Sequence, residues 1–152
     1  MDHTTLFPQW KQAAVDFLAS DFKDGVIVPK AWFEKALGLS PVVGKMTQES
    51  FQKRQLEFMS GMDGLRSFLL LNHNIYLHTV HRQGYLVAPP SEQTALSVDK
   101  FERDAISAFK NTALRLRHIR LNEMDDAQRK ENTDAVAKLS MLRGMHIKTL
   151  TE

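Results

Sequence analysis

Residues 65–90, LRSFLLLNHNIYLHTVHRQGYLVAPP, decide the fold of this chain. Residues 65–72 are apolar at helical spacing, and two β-rich runs follow at 75–80 and 85–88. The four residues between the two runs end in Gly84, a length that suits a hairpin loop, and Gly84 can adopt the positive φ that closes such a turn. The stretch predicts a helix followed by a β-hairpin with a polar, partly basic tip.

The residues before this stretch predict three more helices and one short strand. A helix is expected over 6–20 with Pro8 in its first turn, a strand over 26–28, and a helix that Pro29 starts and Gly38 ends. Thr47 is an expected N-cap for a helix reaching about Met59, where Ser60-Gly61-Met62-Asp63-Gly64 interrupts it before the helix at 65–72. The fold class is therefore mainly α with a small β-hairpin.

The residues after the hairpin predict an antiparallel pair of helices. Pro89-Pro90 stops the second strand and marks a boundary between a domain at 1–90 and a C-terminal helical hairpin at 91–152. A long helix is expected over 97–121, and Asp125 with Gln128 has the spacing of a capping box. That box would start a last helix reaching about His146.

The composition is that of a globular protein, with 43% apolar and 25% charged residues among 152. There is no cysteine, which excludes disulfides, thiolate metal sites and cysteine catalysis. The net charge of +2 argues against binding nucleic acid by bulk charge. No run is long and apolar enough for a membrane span, and the N-terminus has no signal-peptide pattern, so we expect a cytoplasmic protein without a membrane partner.

The hairpin resembles a known family in the run Thr79-Val80-His81-Arg82-Gln83-Gly84-Tyr85. This run is similar to the wing of the winged-helix (winged helix-turn-helix) superfamily, most closely in response-regulator effector domains, where the wing is roughly Thr-Val-Arg-Gly-x-Gly-Tyr. His81 and Arg82 replace the Arg and the first Gly, and the N-terminal sheet of those domains has no counterpart here. The resemblance implies a winged-helix-like domain at 1–90, with a helix and a basic loop presented to DNA. The alternative is another helical bundle, in which the hairpin simply covers the core.

Side chains that can contact DNA fall in three places. Gln, Asn and Arg pair with base edges, whereas Lys and Arg bind phosphates. The alternative at each position is an ordinary solvated helix face or loop. The candidates are Gln48, Gln52, Lys53, Arg54 and Arg66 on the two expected helices, His81 and Arg82 in the wing, and Lys110 and Arg117 on the long C-terminal helix.

The long C-terminal helix also carries a second apolar strip beside its basic residues: Ile106, Ala113, Leu114 and Leu121. A helix with two apolar strips packs against two partners. The strip indicates a homodimer through residues 97–147, since two-fold dimers are the commonest oligomers. The alternative is that the helical hairpin folds back and buries both strips.

The sequence holds none of the familiar catalytic, nucleotide-binding or metal-binding motifs, so we expect no enzyme activity, no cofactor and no metal. His73, His78 and His81 are close in sequence, but strand alternation separates the last two. Two functions stay open. One is a small DNA-binding regulator of transcription or replication. The other is a protein-interaction module or inhibitory accessory factor, phage- or plasmid-borne, that binds a host protein.

Overall fold

A computed structural model describes residues 7–151 of the chain, with side-chain environments for residues 7–148. It divides into two compact units, one ending at Leu96 and the other starting at Ser97. The protein is mainly helical with one small antiparallel sheet, which confirms the predicted fold class. The first unit holds α1 (Gln9–Ala19), β1 (Ile27–Val28), α2 (Lys30–Ala36), α3 (Gln48–His73), β2 (Leu77–Val80) and β3 (Gly84–Val87).

The three helices of the first unit and its sheet enclose an aromatic core. Phe33 of α2 lies at the centre with no exposed surface, and its ring packs against Tyr85 of β3 at 5.0 Å and Phe17 of α1 at 6.2 Å. Leu65 and Leu69 of α3 are equally buried. Each such side chain contributes roughly 1.5–3 kcal/mol by leaving water, so this unit has a core of its own.

The sheet has the order β1-β3-β2, with both neighbouring pairs antiparallel. The predicted hairpin is confirmed as β2 and β3, and the short β-branched run is confirmed as β1. Gly84, at φ +140°, begins β3 where a Cβ would stand 2.2 Å from the carbonyl oxygen of Val28. Glycine is therefore required there by space as well as by conformation.

Helix α3 is one continuous helix of 26 residues, so the predicted interruption at Ser60–Gly64 is wrong. Both glycines lie where other elements press against the helix. A Cβ on Gly61 would stand 2.9 Å from Leu37, and one on Gly64 would stand 2.8 Å from the ring of Trp10. Each glycine costs the helix about 1 kcal/mol relative to alanine. The close packing that the missing side chains allow outweighs this cost.

Both ends of α3 have capping interactions. Thr47 Oγ1 accepts a hydrogen bond from the Ser50 N–H at 3.2 Å, which confirms the predicted N-cap. At the other end Asn74 adopts the left-handed conformation, and the Ile75 N–H donates to the Leu69 carbonyl. The Asn74 N–H also donates to the Leu70 carbonyl at 3.1 Å, which is the bond of an αL C-cap, and the left-handed Asn74 turns the chain back along α3 into β2.

The second unit consists of α4 (Gln93–Arg117), whose first residues belong to the first unit, a short 3-10 helix at Leu121–Glu123, and α5 (Asp126–Thr151). The predicted capping box is confirmed, because Asp125 and Gln128 exchange side-chain to main-chain hydrogen bonds. Among residues 97–148 no side chain is buried, although the ring of His146 packs against Phe101 and Phe109 at 5.7 Å each.

Candidate nucleic-acid interface

Arg66 of α3 holds the hairpin against the helix by contacts with both strands, and these contacts are called the Arg66 clamp below. One Arg66 nitrogen donates to the Leu77 carbonyl at 2.8 Å and another lies 3.5 Å from the Thr79 hydroxyl, while the guanidinium stands 5.7 Å from the centre of the Tyr85 ring. A half-buried Arg that satisfies a backbone carbonyl and stacks on an aromatic ring serves as a structural contact. Arg66 therefore positions the hairpin, and its bonded nitrogens are already engaged.

The tip of the hairpin exposes His81 and Arg82. The Gln83 N–H donates to the Val80 carbonyl at 3.1 Å and closes the turn. Arg82 sits inside this turn with φ +62°, in the left-handed region. That conformation costs a non-glycine residue roughly 1–2 kcal/mol, and a glycine would adopt it freely. The tip thus carries an exposed guanidinium at a position where the backbone conformation favours glycine.

The exposed side of the N-terminal half of α3 carries Gln48, Gln52 and Lys53. Successive helical residues are rotated by about 100°, so Arg54 points away from Gln52. Arg54 donates to the Ser40 carbonyl at 2.8 Å and pairs with Glu34, and only 11% of its side chain is exposed. Arg54 therefore fastens the α2–α3 loop to α3.

The same half of α3 also exposes three large apolar side chains, and two of them are more than half exposed. Leu56 is 67% exposed and Met59 is 61% exposed, one turn apart. Single exposed apolar residues are common, but neighbours on one helix form a patch that a partner can cover.

Tyr85 links the hairpin to the core beside the clamp. Burial raises the pKa of the Tyr85 phenol above its usual value, and the positive charge of Arg66 opposes part of that rise. The phenol is therefore kept neutral, as suits a ring packed against Phe33.

The remaining two candidates, Lys110 and Arg117, lie in the second unit. They line one groove between α4 and α5, a cavity of about 490 Å³ with Ile106 and Leu114 in its apolar wall. Arg143 of α5 lines the same groove, so three cations and no carboxylate surround it among the described residues. The sequence reasoning missed Arg143. Its spacing of seven from Val136, which lines a neighbouring cavity together with Arg117, was the available signal.

Comparison of the chain with protein-family models, with curated proteins and with solved structures finds no match. Among the described residues, no helix is both long enough and apolar enough to span a membrane. Within the same residues, no three histidine or carboxylate side chains lie together where they could hold a metal ion.

Proposed function

We propose that this protein is a small, non-enzymatic DNA-binding protein of winged-helix type that regulates transcription or replication. The first unit has the element order helix, strand, helix, helix, strand, strand, in which α3 lies beside a clamped hairpin. A helix of this kind fits the major groove, and a hairpin tip reaches phosphate or the minor groove. The proposal includes self-association through residues 97–147 and a cytoplasmic location.

The observation that carries the proposal is the backbone of Arg82. An exposed arginine is held in a left-handed conformation that a glycine would occupy at lower free energy. An arginine at this position is explained if its guanidinium has a ligand, and a phosphate oxygen is the ligand that an exposed tip cation fits best.

The proposed DNA contacts are Arg82 and His81 at the hairpin tip and Gln48, Gln52 and Lys53 on α3. Arg54 and Arg66 support them from within, because their bonds fix the α2–α3 loop and the hairpin. With few free cations, binding should be moderate, sensitive to salt and dependent on the tip. Lys110 and Arg117 are proposed as additional phosphate contacts from the second unit.

The test measures binding to random-sequence duplex DNA by fluorescence anisotropy from low to physiological salt. We expect Arg82→Gly to weaken binding several-fold and to lower the salt slope by about one, while stabilising the fold by about 1 kcal/mol. A variant that binds DNA more weakly although its fold is more stable has lost a ligand contact and not a structural one. Lys23→Ala is the matched control, since Lys23 is exposed and the neighbouring Gly25 pairs with Val87, at the sheet end away from the tip.

Two results would contradict DNA binding through the tip. One is the absence of binding by the wild type even at low salt. The other is an equal loss of affinity in Lys23→Ala and Arg82→Gly, which would indicate attraction by net charge alone.

A protein partner is the second candidate, favoured by the exposed Leu56 and Met59 on the same half of α3. In that case the protein is an interaction module or inhibitory accessory factor, phage- or plasmid-borne, that binds a host protein. Leu56→Asp should then abolish capture of that protein by the immobilised chain, whereas Arg82→Gly should leave capture unchanged. If Arg82→Gly weakens DNA binding and Leu56→Asp leaves it unchanged, the DNA-binding function is supported.

A further inference from the structure

The second unit has two apolar faces that its own helices leave exposed. The phenylalanine face consists of Val98, Phe101, Ala105, Ala108, Leu142 and Met145. The basic face consists of Ile106, Leu114 and Ile147 together with Lys110, Arg117 and Arg143. Each face exposes a large apolar side chain, since Phe101 is 61% and Leu114 is 57% exposed. The sequence pointed to the strip on the basic face as the site of self-association.

We infer instead that the phenylalanine face is a two-fold interface between two copies of this chain. The face is complementary to itself. Phe101 lines a cavity of about 330 Å³ together with Ala105, Ala108 and Thr112. A two-fold axis beside Ala105, with the two α4 helices antiparallel, sets residue 101 of each copy opposite residue 109 of the other. Each Phe101 then enters the other copy's cavity, as an isologous contact requires.

Charge distinguishes the two faces. An isologous contact brings a face against its own copy, so a face with charges of one sign repels itself. The groove of the basic face is lined by three cations and, among its described lining residues, no carboxylate. The cavity of the phenylalanine face, in contrast, has no Lys, Arg, Asp or Glu among its described lining residues. Only the phenylalanine face can therefore meet its copy without a concentration of like charge.

The size of the face is adequate for a stable dimer. The part of α4 from residue 97 to 117 is about 30 Å long, and two neighbouring helices are about 20 Å wide, which gives a face of roughly 600 Å². A standard interface buries about 800 Å² on each partner, once side chains are counted. A helical pair with no buried side chain gains its core by forming a four-helix arrangement with its copy.

This inference refines the self-association included in the proposed function, and its test contains no nucleic acid, so either can fail alone. The mass of the full chain is measured by sedimentation velocity over a range of concentrations. We expect a dimer for the wild type, a twofold fall in mass for Phe101→Glu, and a dimer for the control Leu114→Glu on the basic face. Far-UV circular dichroism checks that the helices of both variants persist.

A cross-link tests the position of the axis without disturbing the apolar face. Since the chain has no cysteine, a single introduced thiol can pair only with its copy. Ala105→Cys should form a disulfide-linked dimer under mild oxidation, whereas Leu114→Cys should stay largely monomeric in a non-reducing gel. A monomeric wild type, dissociation by Leu114→Glu but not by Phe101→Glu, or preferential linking through Leu114→Cys would each overturn the inference.

Discussion

The two units of this protein use apolar residues to opposite effect. In the first unit Phe33, Leu65 and Leu69 have no exposed surface, whereas in the second unit Phe101 and Leu142 remain more than half exposed. The difference is architectural: three helices and a sheet can enclose side chains from several directions, but two helices bury only one stripe of each other. Apolar content alone does not make a core. The first unit is stabilised from within, whereas the second has no buried side chain among residues 97–148.

The largest difference between the two units is expected when one phenylalanine is removed from each. Phe33→Ala should lower the free energy of unfolding by about 3–5 kcal/mol, because the cavity lies among packed rings. Phe101→Ala should cost less than about 1 kcal/mol when measured by urea unfolding of the dilute monomer. Similar losses in the two variants would show that the second unit has a core of its own.

A smaller effect, opposite in sign between the units, is expected at two helical glycines. Gly64→Ala should destabilise by about 1–2 kcal/mol, because the new methyl group meets the Trp10 ring and this overpacking outweighs the gain in helix propensity. Gly144→Ala, in α5, meets nothing within 4 Å and should stabilise by up to about 1 kcal/mol.

Thermal unfolding of both glycine variants beside the wild type provides the measurement. A stabilising Gly64→Ala would mean that Trp10 can move aside and that α1 packs loosely on α3.

The smallest expected effect concerns the alkaline limit of the first unit. Because the pKa of Tyr85 is raised in the folded state, the folded protein holds that proton more tightly than the unfolded chain. Stability should therefore decline as the pH rises above about 10, where the unfolded phenol ionises. Tyr85→Phe should decline less over that range when urea midpoints are compared with those at neutral pH. An identical decline in both proteins would assign the alkaline loss to other groups.

The local elements could be predicted from the sequence because their causes are local. The Thr47 cap, the box formed by Asp125 and Gln128, and the positive φ of Gly84 each depend on residues within a few positions. The continuity of α3 could not be predicted in this way. Glycine weakens a helix locally, and only the approach of Trp10 and Leu37, far away in sequence, explains why Gly61 and Gly64 lie within one.

The polar and basic residues of the candidate site could be predicted from the sequence, but the role of each residue could not. Gln48, Gln52, Lys53 and Arg82 are exposed, as a contact surface requires. The roles of Arg54 and Arg66 depend on partners 11 to 20 residues away, at Glu34, Ser40, Leu77 and Thr79. A basic side chain that binds a ligand and one that braces a loop look identical in sequence.

The way in which Arg66 holds the hairpin has a consequence for how this protein can change. Arg66 contacts the strands through the Leu77 carbonyl and the Tyr85 ring, and Gly84 packs against Val28. Residues 81–83 take no part in these contacts. The three residues of the turn are thus insulated from the core. A different turn sequence, or a grafted loop, can therefore replace these residues while the framework stays intact.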